Sequence, residues 1–590
     1  MRFSGKTLFY LPLLAVIGCL IYSNSFQNSF HLDDHKVIVA NEAIRDLRDV
    51  GGAVALFDAF NTRFLTGLSL AANYALGKLD VRGYHAFNLT VHILNSSLVF
   101  ALVLLTLRTP WMAFCAALLF LTHPIQTQAV NYIWQRAALL AAFFHLAALV
   151  LYIQARVRGS KIHYGLSFLA AFLGMFTKET MIVCPVTILL YEFFFFDATE
   201  GDGKRMLRLL PYLALCAVIP ILLTRADHLT LKTMRLQEMG DITRFVSEGS
   251  MSRKTYMLTQ LPVLVTYLRL LVFPAGLNLD HDFPLHRSFA EPAVWLSAIF
   301  LIVLLGAGVL LFKKKDRLLA FAIFWFFLVL SLESLVPQND VLFEHRLYLG
   351  TAPFAVFISA VLFRFLGKRA FAVVLLIAAV FSFFTYQRNF VWKNELSLWG
   401  DVLLKSPHKA RPYNNRGFGF MESGRLEEAM ADFKKAVILN PNYAEVHANL
   451  GIVEDRRDRL PEAIVHYSKA IRLDPSYAKA LNNRGVDYQI QKEYDKAIAD
   501  LTEAVRIKPN YSQAYNNRGN CFQLMGRTEE AIEDYGRAIE ADATNAEAYF
   551  NRGVAYLGRR EKGKALADFD GALQLKPGFQ PALKAKEGVR

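Results

Sequence analysis

The chain has 590 residues, room for several domains, and 54% of them are hydrophobic, with 47 phenylalanines. Together with a mean hydropathy of +0.27, that excludes a purely soluble protein. The net charge of +14 does not mark a nucleic-acid binder, because the basic residues gather in short loops between apolar runs (Arg156, Arg158, Lys161; Lys204, Arg205, Arg208; Lys313, Lys314, Lys315, Arg317; Lys368, Arg369), where the positive-inside bias lives.

In chain order, Arg2 and Lys6 precede an apolar run over 8–22 that lacks a small-x-small cleavage site, so an uncleaved first span is expected. Directly after it stands Asn28-Ser29-Phe30-His31-Leu32-Asp33-Asp34-His35-Lys36. Adjacent carboxylates at a membrane–water boundary are costly unless they have a task, which makes Asp33 and Asp34 the first candidate functional residues. Apolar stretches of spanning length predict about eleven crossings, at 7–23, 86–107, 110–122, 137–154, 163–177, 180–196, 207–224, 293–312, 318–336, 349–366 and 370–386. With the N-terminus inside, these put every basic cluster in the cytoplasm. The stretch 256–273 is apolar too, but a full crossing there would move Lys313–Lys315 outside, so it is expected to be interfacial or re-entrant. The odd count then places the C-terminal part outside the cytoplasm, beside Asp33 and Asp34. The same topology gathers Arg63, His85, His123, Gln126, Arg136, Lys178, Glu179, Glu344, His345 and Arg346 at the outer boundary. Asp280 and Asp282 read as solvated loop charges. Four of the five cysteines lie in apolar runs, so the spacing gives neither a disulfide framework nor a metal site.

Beyond 407 the sequence becomes periodic. Pro407, Pro441, Pro475 and Pro509 recur every 34 residues, with Gly417, Gly451, Gly485, Gly519 and Gly553 in step. Alanines keep the same register, as in Ala429, Ala463, Ala497, Ala531 and Ala565. This period is the tetratricopeptide signature, two antiparallel helices per unit. Five units over 410–577 are expected to stack into a solenoid with a concave face, after a membrane domain at 1–390 and a linker helix at 391–409, and before a capping helix or tail at 578–590. The fold class is therefore all-α, a polytopic helical bundle followed by a solenoid. Two residues before each glycine stands an asparagine: Asn415, Asn449, Asn483, Asn517 and Asn551. On the concave face such amides could both donate to and accept from an extended polypeptide backbone.

The chain resembles the TMTC family of transmembrane, tetratricopeptide-containing O-mannosyltransferases. The resemblance is carried by Phe30-His31-Leu32-Asp33-Asp34, Leu70-Ala71-Ala72-Asn73-Tyr74-Ala75-Leu76-Gly77, Gly83-Tyr84-His85-Ala86-Phe87-Asn88, His92-Ile93-Leu94-Asn95, Thr122-His123-Pro124-Ile125-Gln126-Thr127-Gln128-Ala129-Val130 and Lys178-Glu179-Thr180. The wording from Gln128 to Arg136 looks closer to the bacterial branch. The resemblance implies a GT-C fold and an inverting transferase that takes a sugar, mannose or another hexose, from a polyprenyl-phosphate carrier. Its acceptor would be a serine or threonine hydroxyl on the outer face, and the first-loop acidic pair would supply the catalytic base. Arg136, Lys178, Arg346 and His345 are the candidate cations for the carrier phosphate, since developing negative charge needs positive charge beside it. The pair Asp33 and Asp34 is also the candidate holder of a divalent cation. Expected partners are the carrier-linked sugar, membrane lipid and an acceptor polypeptide in the solenoid groove. The expected location is the bacterial inner membrane with the solenoid in the periplasm, or the endoplasmic reticulum with the solenoid in its lumen. A membrane-anchored scaffold for envelope assembly, or a transferase acting on a glycan or lipid, would use the same parts differently.

Overall fold

The computed structural model describes residues 9–45, 50–196, 202–224, 251–338 and 340–589; Arg2, Lys6 and the start of the first expected span lie outside them. Among the described residues every regular element is helical. Contacts divide the chain into two units, one up to Pro407 and one from His408 onward.

Among the described residues of the first unit, eight helices are long and apolar enough to cross a membrane: Val81–Leu107, Ile133–Arg158, Gly203–Thr224, Arg253–Val272, Pro292–Lys313, Arg317–Leu335, Glu344–Leu366 and Arg369–Trp392. A bent pair, Pro110–Thr122 with Pro124–Asn131, counts as a ninth if taken as one span. Three of the expected eleven stretches hold shorter helices among the described residues. The run 7–23 holds the 12-residue helix Tyr10–Ile21, 163–177 the 14-residue helix Lys161–Gly174, and 180–196 the 12-residue helix Cys184–Phe195. At about 1.5 Å per residue each of these helices reaches about 20 Å, so non-helical turns make up the remainder of a ~30 Å crossing. Apolar composition continues through places where the helix stops. Pro124 has no N–H to donate, and the chain turns there through 49°, with His123 Nδ1 accepting the Ile125 N–H (3.2 Å) as a cap. The helix Lys161–Gly174 likewise ends before a 3-10 turn at Glu179–Val183.

The helix Arg253–Val272, expected to be interfacial or re-entrant, is long enough to cross, but it is bonded along one end of the bundle. Tyr256 Oη donates to the Glu333 carbonyl (2.5 Å), Gln260 Nε2 to that of Val341 (3.0 Å) and Tyr267 Oη to that of Phe343 (3.0 Å), while the Leu271 carbonyl bonds His123 Nε2 (2.9 Å). Inside the bundle, polar side chains pair between helices rather than facing lipid. His92 Nδ1 bonds Tyr348 Oη (2.8 Å), and Asn95 Nδ2 donates to Tyr348 Oη and to the Leu139 carbonyl (both 3.0 Å). The helix Glu395–Lys405, capped reciprocally by Asn394 and Ser397, packs Trp399 and Val402 against Trp392, Tyr132 and Leu279 of this unit.

The second unit is five helix pairs, from Ala410–Glu422 and Leu426–Leu439 to Ala546–Gly558 and Lys562–Leu575, followed by Gln580–Val589. The periodic glycines are close-approach positions. A Cβ at Gly417, Gly451, Gly485, Gly519 or Gly553 would lie 2.6–2.8 Å from Phe433, Tyr467, Leu501, Tyr535 or Phe569 of the paired helix. The arginine before the glycine clamps the same pair, with Arg416–Asp432, Arg484–Asp500 and Arg518–Asp534 contacts of 2.7 Å and Arg552–Asp568 of 2.8 Å.

Candidate active site

The site forms where helices break at one end of the bundle: the first loop, the 131–136 turn, the 174–184 turn and the 335–347 connection. The two adjacent carboxylates take different environments there. Asp34 is fully buried; its Oδ2 accepts the His31 N–H (3.0 Å) and its Oδ1 the Trp134 N–H (2.7 Å). Burial pushes its carboxyl up to about 7, against the pull of those N–H groups and of His31. Asp33 is exposed and is held by one hydroxyl, with Tyr132 Oη donating to its Oδ2 (2.7 Å) and accepting its N–H (3.1 Å). Burial drives the Tyr132 phenol well above its ordinary range, so it remains a donor. Each Asp34 oxygen thus already accepts one backbone N–H. Among the described residues no three His, Cys, Asp or Glu side chains gather as a metal would need.

The first loop is fixed from the far end of the unit. His31 Nδ1 lies 3.1 Å from Glu395 Oε1 and its Nε2 2.7 Å from the Trp392 carbonyl. Burial opposes charge on His31, but the Glu395 bond and charge, with Trp392 and Asp34, hold it above the ordinary histidine range.

Around this loop stand the cations. Arg63 makes a bidentate pair with Glu179 (3.1 and 3.0 Å), and Thr62 Oγ1 adds a bond to the same carboxylate (2.8 Å). Burial opposes the Glu179 charge, yet Arg63 outweighs it and holds the carboxyl at about 2. Arg63 also feels the charges of Glu333 and Asp33, which ties the acidic loop to the basic group. Lys178 Nζ pairs with Glu333 Oε1 (2.8 Å). Lys178, Glu333, His345, Arg346 and His145 line one small hollow of about 30 Å³, whose other walls include Ala138, Ala142, Met181 and Val329. His345 stacks on Phe343 (5.1 Å), its N–H donates to Gln128 Oε1 (2.8 Å), and its buried Nδ1 has no partner. Neither nitrogen of buried His145 has a partner. Arg346 donates to the Val341 (3.1 Å) and Asp340 (3.0 Å) carbonyls.

Other sequence candidates are placed elsewhere. Arg136 is fully buried and donates to Asn88 Oδ1 (2.8 Å) and to the Ser69 (3.0 Å) and Tyr84 (3.1 Å) carbonyls, over the Phe87 ring (4.2 Å). His85 Nε2 bonds the Asn28 carbonyl (2.9 Å) and His123 caps the helix break, so both imidazoles brace backbone. Gln126 is buried, with only long bonds of 3.5 Å to the Phe120 and Tyr348 carbonyls and an unpartnered Oε1. Glu344 is buried and accepts from Asn278 N–H and His281 Nε2 (3.0 Å), which makes it a brace for the 278–281 turn. Asp280, read as a solvated charge, is instead buried, its carbonyl accepting from Ser406 Oγ (2.8 Å). In the solenoid, Asn449 donates to Asn414 (2.9 Å), Asn517 to Asn482 (3.0 Å) and Asn551 to Asn516 (3.0 Å), so three of the five amides link successive repeats. Asn483 reaches Tyr467 Oη at 3.5 Å, and Asn415 accepts from Asn414 Nδ2 (3.1 Å).

Sequence reading missed Glu333, His145, Tyr132 and the His31–Glu395 bond. For the first two a signal existed, since an ionisable group inside an apolar span is a functional candidate by default. For Tyr132 and Glu395 none did.

Models for tetratricopeptide repeats match residues 419–453, 456–491 and 524–558, 478–511, 501–533 and 546–579. The chain is 25% identical over 462 residues to a protein O-mannosyl-transferase of Caenorhabditis elegans, covering 73% of this chain and 63% of that protein. It is 25% identical over 474 residues to human protein O-mannosyl-transferase TMTC3 (73% of this chain, 51% of that one). Human TMTC1 gives 25% over 492 residues (73% and 55%). The TMTC resemblance thus extends over most of this chain, which spans between 51% and 63% of the length of these curated relatives. Among solved structures, the chain is similar to YrrB, titled a TPR protein with an unusual peptide-binding site, at 26% identity and a TM-score of 0.28, covering 32% of this chain and 97% of that one. MamA gives 27% identity and a TM-score of 0.26, covering 27% and 94%.

Proposed function

We propose, with kinship to the protein O-mannosyl-transferases as premise, that this chain is a membrane glycosyltransferase. It would move mannose or a related hexose from a polyprenyl-phosphate carrier to serine or threonine hydroxyls of polypeptides. The observation that carries the reading is Asp33, an exposed carboxylate oriented by one tyrosine within electrostatic reach of Arg63, which also feels Glu333, a residue lining the hollow of Lys178, His345 and Arg346.

In this scheme the acceptor hydroxyl approaches Asp33, which takes its proton as the oxygen bonds to the anomeric carbon. The bond from that carbon to the phosphate oxygen breaks on the opposite side, and the carrier phosphate leaves as an anion that needs no general acid. Lys178, Arg346 and Arg63 offset the charge that builds on it. One base and in-line departure give inversion. Asp34 is the positioning partner, its oxygens already satisfied by backbone. Arg136 is assigned as a structural brace rather than a phosphate binder, since it is fully buried and its Nε, Nη1 and Nη2 each already donate inside the protein.

The helix Glu395–Lys405, last before the first repeat helix at Ala410, lies on the side of Asp33, because His31 bonds Glu395. We assign that side to the bacterial periplasm, where the repeats would receive the acceptor polypeptide. Mass spectrometry of outer-face proteins with and without this chain tests the reading: a hexose on serine or threonine should disappear with the chain. An unchanged set of glycopeptides, with a defect reproduced by deleting residues 410–577 alone, would favour the scaffold instead.

A further inference from the structure

The solenoid carries a pair of carboxylates that its own repeat pattern does not account for. At the register of Asp487 the other units have Gly419, Val453, Cys521 and Ala555; at that of Asp455 they have Met421, Gln489, Gln523 and Leu557. A carboxylate in place of a small apolar residue costs stability unless something compensates its charge. Asp487 is 3% exposed, and its Oδ2 and Asp455 Oδ1, both buried, face each other as the two members of a carboxyl–carboxylate pair with no donor from any other group. Tyr467 Oη donates to Asp455 Oδ2, and Asn483 Nδ2 lies 3.5 Å from that hydroxyl.

The pair lines a hollow of about 460 Å³ built by the first helices of three successive units, with Phe418, Met421, Ile452 and Val486 as apolar wall. The other charged groups facing it are Arg456, spent on Glu422 (2.9 Å) and the Met421 carbonyl (2.7 Å), Glu422 itself, and Lys479, which is exposed. An apolar-walled hollow holding a carboxyl pair that no cation among the described residues neutralises is shaped for a long alkyl stem with a cationic head. We propose that Asp455 and Asp487 receive a lysine or arginine side chain of a polypeptide lying in the solenoid groove. The proposal rests on the reading that the repeats bind the acceptor polypeptide, and it adds that a basic residue selects it.

Without a ligand the two carboxyls face each other; burial and the neighbouring Asp455 push Asp487 up to about 8, so the pair retains a proton at neutral pH. A cation entering the pair must displace that proton, so its binding strengthens as pH rises through that value.

The test uses the full chain in detergent micelles and fluorescence anisotropy with two labelled probes. One is an extended serine–alanine–glycine peptide with a central lysine, the other the same peptide with norleucine there. The lysine peptide should bind about tenfold more tightly, as a charge-assisted bond to a buried partner gives, and the preference should grow from pH 6 to 9. Asp487→Asn and Asp455→Asn should each abolish the preference and leave norleucine-peptide affinity unchanged. Removing a buried carboxyl should not lower the melting point, which circular dichroism checks. Equal affinity for both peptides overturns the pocket while leaving the polypeptide groove standing; binding of neither overturns both. A lysine preference that survives in both variants places the cation elsewhere and overturns it. So does displacement of both peptides by calcium or magnesium in the wild type only, which would make the pair a metal site.

Discussion

The helix Arg136–Arg158 runs between two acidic clusters of the membrane unit. At its Arg158 end Glu192 is fully buried, bonded by Tyr152 Oη and Arg156 Nε (both 3.0 Å), with Arg205 Nε at 3.5 Å and Arg208 at 3.9 Å. At the other end Asp33 is exposed with one side-chain donor, and the nearby hollow presents Lys178, His345 and Arg346, with His345 Nδ1 unpartnered. Both clusters break the rule against ionisable groups in a membrane protein, but Glu192 is surrounded by three guanidiniums, whereas Asp33 keeps an oxygen for a ligand. Burying a charge is therefore no mark of chemistry; a carboxylate left open to a ligand is.

Substitutions can break that contrast. The largest effect belongs to Asp33→Asn, which should lower transfer by about 10²–10⁴-fold with the protein still inserted, measured with purified protein in proteoliposomes. Lys178→Met should cost about 10²–10³-fold through poorer stabilisation of the departing phosphate, read as kcat at saturating carrier lipid. Asp34→Asn should cost about tenfold, since it keeps one acceptor oxygen and loses one bond of about 1 kcal/mol. Its signature is in pH. Because burial raises the Asp34 carboxyl to about 7, its stabilising share is complete below the unfolded value near 4. It is lost as pH rises through 7. The melting temperature of the wild type should accordingly fall more between pH 5 and 8 than that of Asp34→Asn. Glu192→Gln should leave kcat and KM unchanged yet destabilise the bundle by about 3 kcal/mol, as removal of one member of a buried ion cluster does; a fall in kcat would erase the contrast.

How far the sequence could be read differs in the same way between local and non-local information. The repeats were legible because their cause is local: each periodic glycine answers one aromatic or leucine of its own helix pair, as Gly519 does Tyr535. Asp33 and Asp34 were legible as a pair by their place after an apolar run. Their division of labour was not, because it depends on Tyr132 and Trp134 one hundred residues away. Arg136 looked like a phosphate ligand for the same reason: its partners Asn88, Ser69 and Tyr84 come from two other helices. Composition does not register where Pro124 or the turn after Lys178 interrupts a helix inside an apolar stretch.

The most direct measurement incubates the purified chain in proteoliposomes with mannosyl-phosphoryl polyprenol and a serine/threonine peptide, and weighs the product. The wild type should add one hexose to the peptide, while Asp33→Asn, equally folded and inserted, should leave it unmodified. Equal hexose addition by both proteins would contradict the assignment of Asp33 as the base.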